Sequence, residues 1–208
     1  MNHPNGDTGD DDVVTDGGQT IGTDSGSVTD SLPIKTGAVT GAIAYIATFA
    51  ITYVLAQVEW EGDLSGQSVE AYEVVGWIMY GGHSVDITSS MGGSGNYLEN
   101  YYSAGVDTTF PKLLFYAVPV IVLVVAGRSV AGKAVGAAGD QMEAAKAGAT
   151  VAIGYVALAV VGAFTIFSVT QSGLGQSVTT EPELGGTILF FAAYAVVSGG
   201  IGGYVSAQ

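Results

Sequence analysis

The chain has no cysteine, and lysine and arginine together number five among 208 residues. The first absence excludes disulfides, thiolate metal centres and cysteine nucleophiles together. The second, set against 19 aspartates and glutamates and a net charge of −14, removes nucleic acid from the expected partners, because phosphate binding needs clustered cations. Histidine is confined to His3 and His83, neither in an apolar run, which leaves none for bis-histidine haem ligation within the spans. Asn2, Asn5, Asn96 and Asn100 all lack the following Ser or Thr of a glycosylation site. No nucleophile elbow occurs, and Gly127–Lys133 has the residues of a phosphate loop without its spacing. No cofactor, metal or catalytic residue is expected, and the chain reads as a non-enzyme.

What the sequence does hold is four long apolar runs, Thr36–Val58, Pro111–Gly127, Ala147–Val169 and Leu184–Val205. A bilayer core of about 30 Å needs about 20 helical residues at ~1.5 Å each. Three runs meet that length. The second is bracketed by Lys112 and Arg128, so its cations must snorkel, or the helix must continue and carry Arg128 inward. The expected fold is an all-α membrane protein, a bundle of four transmembrane helices over residues 35–208. Residues 1–34 form an acidic tail. Its first 31 residues hold seven aspartates and no Glu, Lys, Arg or aromatic residue, a composition that reads as disordered. No cationic, apolar leader is visible there, so the first span is expected to act as the insertion signal.

Cation placement sets the expected orientation. Lys35, Arg128, Lys133 and Lys146 fall on one side of a four-span arrangement and Lys112 on the other. That puts both termini in the cytoplasm of a multi-pass cell-membrane protein, with loops 59–110 and 170–183 outside. The first of these loops carries Trp60, Tyr72, Trp77, Tyr80, Tyr97, Tyr101 and Tyr102. Val69, Tyr72, Val75, Gly76, Met79 and Tyr80 recur at helical spacing, with Glu70 and Glu73 opposite part of that stripe. Ser68–Tyr80 therefore reads as a short amphipathic helix lying on the outer membrane surface. Ser84–Thr88 alternates like a brief extended segment, and Gly92–Gly95 reads as a turn.

Within the spans, small residues suggest close helix packing. Gly37 and Gly41 form a GxxxG pair, continued by Tyr45, Thr48 and Thr52 on the same stripe. Gly199 and Gly203 repeat the spacing in the fourth span. Such faces serve bundling within one chain or a homo-oligomer. Pro119 lies in mid-span and should kink its helix. No ionisable residue falls in the central part of any span, which speaks against ion-coupled transporters, proton pumps and voltage sensors.

The run Val75–Tyr80, then His83, Val85 and Asp86, followed by Pro111–Tyr116 and Pro119, resembles a family of uncharacterised haloarchaeal four-span membrane proteins, loosely described as transporter-like. The resemblance covers roughly Lys35 to Tyr204. It implies a location and a halophilic source, as the acidic composition does, and it supplies no substrate. The expected function is that of a scaffold or accessory subunit in the bilayer, contacting a membrane or envelope protein through the outer loop at Trp77, Tyr80, His83 and Asp86. The alternative is a small oligomeric transporter or channel for an uncharged solute, lined by Tyr45, Thr48 and Thr52.

Overall fold

A computed structural model describes residues 32–60, 69–105, 107–135, 140–173 and 176–208. The expected acidic tail falls outside these residues except for its last three, and so does Ser68 of the expected surface helix. Four helices are long and apolar enough to cross a membrane. The first is α1, Ile34–Glu59. After it come two short helices, α2 (Ala71–Gly82) and α3 (Tyr97–Ser103), and then the second span, α4 (Leu113–Ala134). The third span, Gln141–Thr165, is written as α5 (Gln141–Ala149) and α6 (Val151–Thr165) on either side of Thr150. The fourth is α7, Leu184–Ser206.

The second span is longer than its apolar run. It continues through Arg128 to Ala134, 22 residues or about 33 Å at ~1.5 Å per residue. The third begins six residues before the apolar run, because Asp140 accepts from the Met142 amide and starts the helix there. Around the bundle the order is α1, α5–α6, α7, α4, and α4 closes back on α1.

Close approach of backbones holds these neighbours together. A side-chain carbon at Gly41 would strike the Val151 carbonyl, and one at Gly37 would strike Thr150. Across the bundle, Gly199 and Gly203 abut the Gly148 and Ala144 carbonyls, while Gly202 abuts that of Val124. In lipid there is no apolar transfer between helices to gain, so such contacts and interhelical hydrogen bonds carry the association. Both glycine pairs thus face neighbours within the same chain.

One end of the bundle is closed by a four-stranded antiparallel sheet, which the all-α expectation did not include. Its strands are β1 (Ile87–Ser89), β2 (Ser94–Gly95), β3 (Val169–Gly173) and β4 (Gln176–Pro182), in the order β2-β1-β4-β3. β1 pairs with β4 through Ile87↔Pro182, Thr88↔Glu181 and Ser89↔Thr180. The sheet therefore joins the segment after α1 to the one between α6 and α7. Its strands are polar, and side-chain bonds reinforce the ladder: Thr170 to Thr179 at 2.9 Å, and Ser168 to the Glu181 carboxylate at 2.9 Å.

Candidate functional site

α2 is the element that departs furthest from the surface-helix expectation. Its first turn is as expected: Glu70 N–H donates to the Glu73 carboxylate at 2.7 Å, and Tyr72 is exposed. From Val74 to Gly82, however, nine consecutive residues are buried. A helix that is apolar all round belongs inside, not on a surface with one face wet. Phe167 sits where a side chain at Gly76 would be, so the helix can press against the chain leaving α6. The helix fills the mouth of the bundle at the sheet end, packed on α1 and α4.

Trp77 and Tyr80 consequently turn inward and are not displayed to a partner or to headgroups. The Trp77 indole donates to the Phe167 carbonyl at 2.9 Å. Tyr80 is fully buried; its hydroxyl donates to the Ala159 carbonyl and lies 3.2 Å from that of Tyr45. Asp86 is exposed, with Ser94 Oγ at 3.4 Å and its own backbone carbonyl accepting from Glu183 N–H. It does not meet His83.

His83 is the centre of a cluster that the sequence did not reveal. It caps α2 and has no exposed surface. Nδ1 lies 2.8 Å from the Met79 carbonyl, so Nδ1 carries the hydrogen and donates. Nε2 must then accept, and the Tyr155 hydroxyl at 2.8 Å donates to it. Tyr155 also lies 3.3 Å from Thr48 Oγ1, and the Thr48 hydroxyl donates to Ala44 O at 2.9 Å. Four contacts thus share three hydrogens while the imidazole is neutral. The Phe191 ring stacks on the imidazole at 3.8 Å and 10°. Burial pushes the His83 pKa down to about 4, only partly opposed by the Met79 carbonyl.

The remaining predicted residues fall into packing roles. Thr48 and Thr52 are buried. Pro119 is buried inside α4. Gly37, Gly41, Gly199 and Gly203 lie at the helix contacts described above.

Two further anchors went unnoticed in the sequence. Glu59, 5 % exposed at the end of α1, accepts from the amides of Thr109 (3.1 Å) and Phe110 (2.8 Å) through Oε2. Oε1 has no partner among the described residues. Glu99 joins Lys112 at 2.6 Å and accepts from Tyr116 at 2.7 Å, tying α3 to the start of α4. Those two bonds, led by that of Lys112, hold the Glu99 carboxyl below its ordinary pKa. Among the described residues no group of three or more His, Asp or Glu side chains is arranged to hold a metal ion.

The model of the DUF7978 family, a family of unknown function, matches residues 18–208, and the chain belongs to that family. No curated protein and no solved structure matches it.

Proposed function

We propose that this DUF7978 member is a non-enzymatic membrane scaffold or accessory subunit of a halophilic archaeon, and that its sheet binds a membrane or envelope protein outside the cell. One observation carries the reading: β3 is the longer of the sheet's two edge strands, and Thr170–Gly173 are exposed along it. An edge strand offers unpaired backbone donors and acceptors, and proteins that must avoid pairing guard such edges with Lys, Pro or bulges. β3 reads Val-Thr-Gln-Ser-Gly, with no charge and no proline. The partner supplies an extended segment that adds to β3. The four-to-one distribution of cations supports an outward sheet and cytoplasmic termini. The acidic composition fits concentrated salt, which screens self-repulsion.

Passage of an uncharged solute through the chain has less support. Tyr45, Thr48 and Thr52 are buried by their neighbours, and the Thr48 hydroxyl is bonded to Ala44 O. Catalysis at His83 has little, since neither His83 nor Tyr155 has exposed surface.

The test is affinity purification of the tagged chain from native membranes in high salt, beside the Gln171→Lys, Ser172→Lys double variant. A stoichiometric partner retained by the wild type and lost from the variant, at equal abundance, is the expected result. Equal recovery from both removes β3 as the contact, and a homo-oligomer free of other proteins favours the transporter reading. Single cysteines at Ser90 and Gln176 should label with an impermeant maleimide on intact cells. Labelling at Ser27 and Gly139 instead would reverse the orientation.

A further inference from the structure

On the flank of the bundle, α1 and α4 leave a groove of about 240 Å³ between them. Its floor is made of small residues, Ala44 and Ala126, which are 3 % and 8 % exposed. Its rims are Ile43 and Val125, 61 % and 64 % exposed. Floor covered and rims bare describe a trough open sideways, toward the lipid that surrounds a spanning bundle. Thr40 and Ser129 also line it. The two helices run in opposite directions, so these hydroxyls share one end of the trough while Ala47 and Val122 share the other.

The same end carries positive charge. Side chains four apart lie on one helical line. On α4 the line Val125–Ser129 continues to Lys133, and on α1 the line Ile43–Val39 continues back to Lys35. Both lysines are exposed. Helical spacing thus puts two of the five cations of a chain with net charge −14 beyond the hydroxyl end of one apolar trough. Ser129 lies four residues from Lys133 and Thr40 five from Lys35, whereas in another groove, between Val120 and Tyr194, the only α4 lining residue is Val120, eight residues from Arg128.

We propose that the α1–α4 groove binds one anionic phospholipid. A hydrocarbon chain lies along Ala44 and Ala126, and the phosphate sits between Lys35 and Lys133, with Thr40 and Ser129 at the level of the glycerol. A basic recess between spanning helices selects a charged headgroup over a zwitterionic one. A second copy of the chain is the poorer occupant, because it would bring a net −14 to the same recess and set bulky Ile43 and Val125 rims against its own surface.

The experiment uses the full chain in a neutral detergent with dioleoyl phosphatidylglycerol or dioleoyl phosphatidylcholine added. Bound lipid is counted by native mass spectrometry, and the melting temperature is followed in parallel. The wild type should retain one phosphatidylglycerol and melt higher with it, and phosphatidylcholine should do neither. At about 1 kcal/mol per lysine, Lys35→Gln with Lys133→Gln should weaken binding roughly 30-fold. Ser129→Phe, which blocks the mouth from an exposed position, should also abolish it. Lys146→Gln, outside the groove, should leave binding unchanged.

Equal retention of the two lipids would overturn the proposal, and so would full retention by the double lysine variant. Stabilisation by inorganic phosphate alone, to the same extent, would show that no hydrocarbon chain is held and would overturn it too. A dimer by light scattering that Ser129→Phe turns into a monomer would assign the groove to a second copy. None of these results bears on the β3 edge, so this proposal and the partner reading fail separately.

Discussion

Gly82 of α2 faces the backbone carbonyl of Phe115 in α4, and a side-chain carbon at Gly82 would come within 2.8 Å of that oxygen. Phe115 is four residues before Pro119, and proline has no N–H to return to the carbonyl one turn back. The oxygen that Pro119 leaves without its helical donor is thus the one against which Gly82 packs. The proline and the glycine form one device for seating α2 in the bundle mouth. Gly82→Ala should lower stability by about 1–3 kcal/mol, as overpacking at a tight contact does. Combined with Pro119→Ala the effects should be non-additive, because both residues act on one carbonyl. Thermal melts of the two single variants and the double variant in detergent check this; strict additivity would separate the two residues.

His83 should make stability depend on pH in a defined window. Its folded pKa, about 4, lies below the ordinary 6.5, so the unfolded chain takes up the proton first as pH falls. The contribution is fully present above about pH 6.5, declines between 6.5 and 4, and is lost below. A difference of that size corresponds to roughly 3 kcal/mol. His83→Gln should flatten that part of the profile while lowering stability at pH 7.5. Melting temperatures at pH 7.5, 5.5 and 4.5 decide it, and parallel profiles for wild type and variant would show that His83 does not titrate there.

Trp77 provides an optical check on the placement of α2. The chain has two tryptophans, so Trp60→Phe leaves Trp77 alone. Its emission should be blue-shifted and resistant to acrylamide, since Trp77 is 7 % exposed and bonded to the Phe167 carbonyl. Trp77→Phe should cost about 1–2 kcal/mol for the carbonyl left without its donor. Trp77→Ala should cut the yield of folded protein. Red, easily quenched emission would put the ring outside the bundle.

Glycines in the spans should divide by their neighbours. Gly199→Leu and Gly203→Leu push into the Gly148 and Ala144 backbones and should prevent stable folding in detergent. A side chain at Gly132 in α4 would point into open space. Gly132→Ala should therefore raise stability by about 0.5–1 kcal/mol. Gly92→Leu in the turn after β1 should also destabilise, though nothing lies near it, because a φ of +97° strains any other residue. Size-exclusion profiles with temperature give the ranking, and a stable Gly199→Leu protein would mean that α7 has room on that side.

The four spans could be read from the sequence because lipid demands long apolar runs, and the close contacts of α1 and α7 because few residues but glycine allow them. Cation positions misplaced two span ends: α4 runs on past Arg128, and α5 starts at Gln141, capped by Asp140, before the apolar run begins. The destination of α2 is hard to read because the stripe ending at Tyr80 looks like one face of an amphipathic helix. Val74, Trp77 and Ile78 fill the rest of the circumference, and an unbroken apolar run with Gly76 inside it was the available signal. β3 and β4 had no alternating pattern to detect. Their residues are Thr, Ser, Gln and Glu, held by backbone pairing and hydroxyl contacts and not by an apolar face. The His83–Tyr155–Thr48 chain joins residues from three elements, and no spacing in a sequence announces such a meeting.

The pairing of β1 with β4 also imposes an order on biogenesis. Ile87 meets Pro182, and Glu183, the next residue, accepts from the Gly185 and Gly186 amides to begin α7. β1 leaves the ribosome long before its partner exists, and α2, unable to span by itself, must wait with it. The first two spans can enter the bilayer as a helical hairpin, but the mouth between them stays unclosed until the third has crossed and the strand behind it has emerged. A chain stalled before Pro182 would therefore hold Trp77, Tyr80 and His83 in an unfinished site, its sheet unpaired and its mouth open.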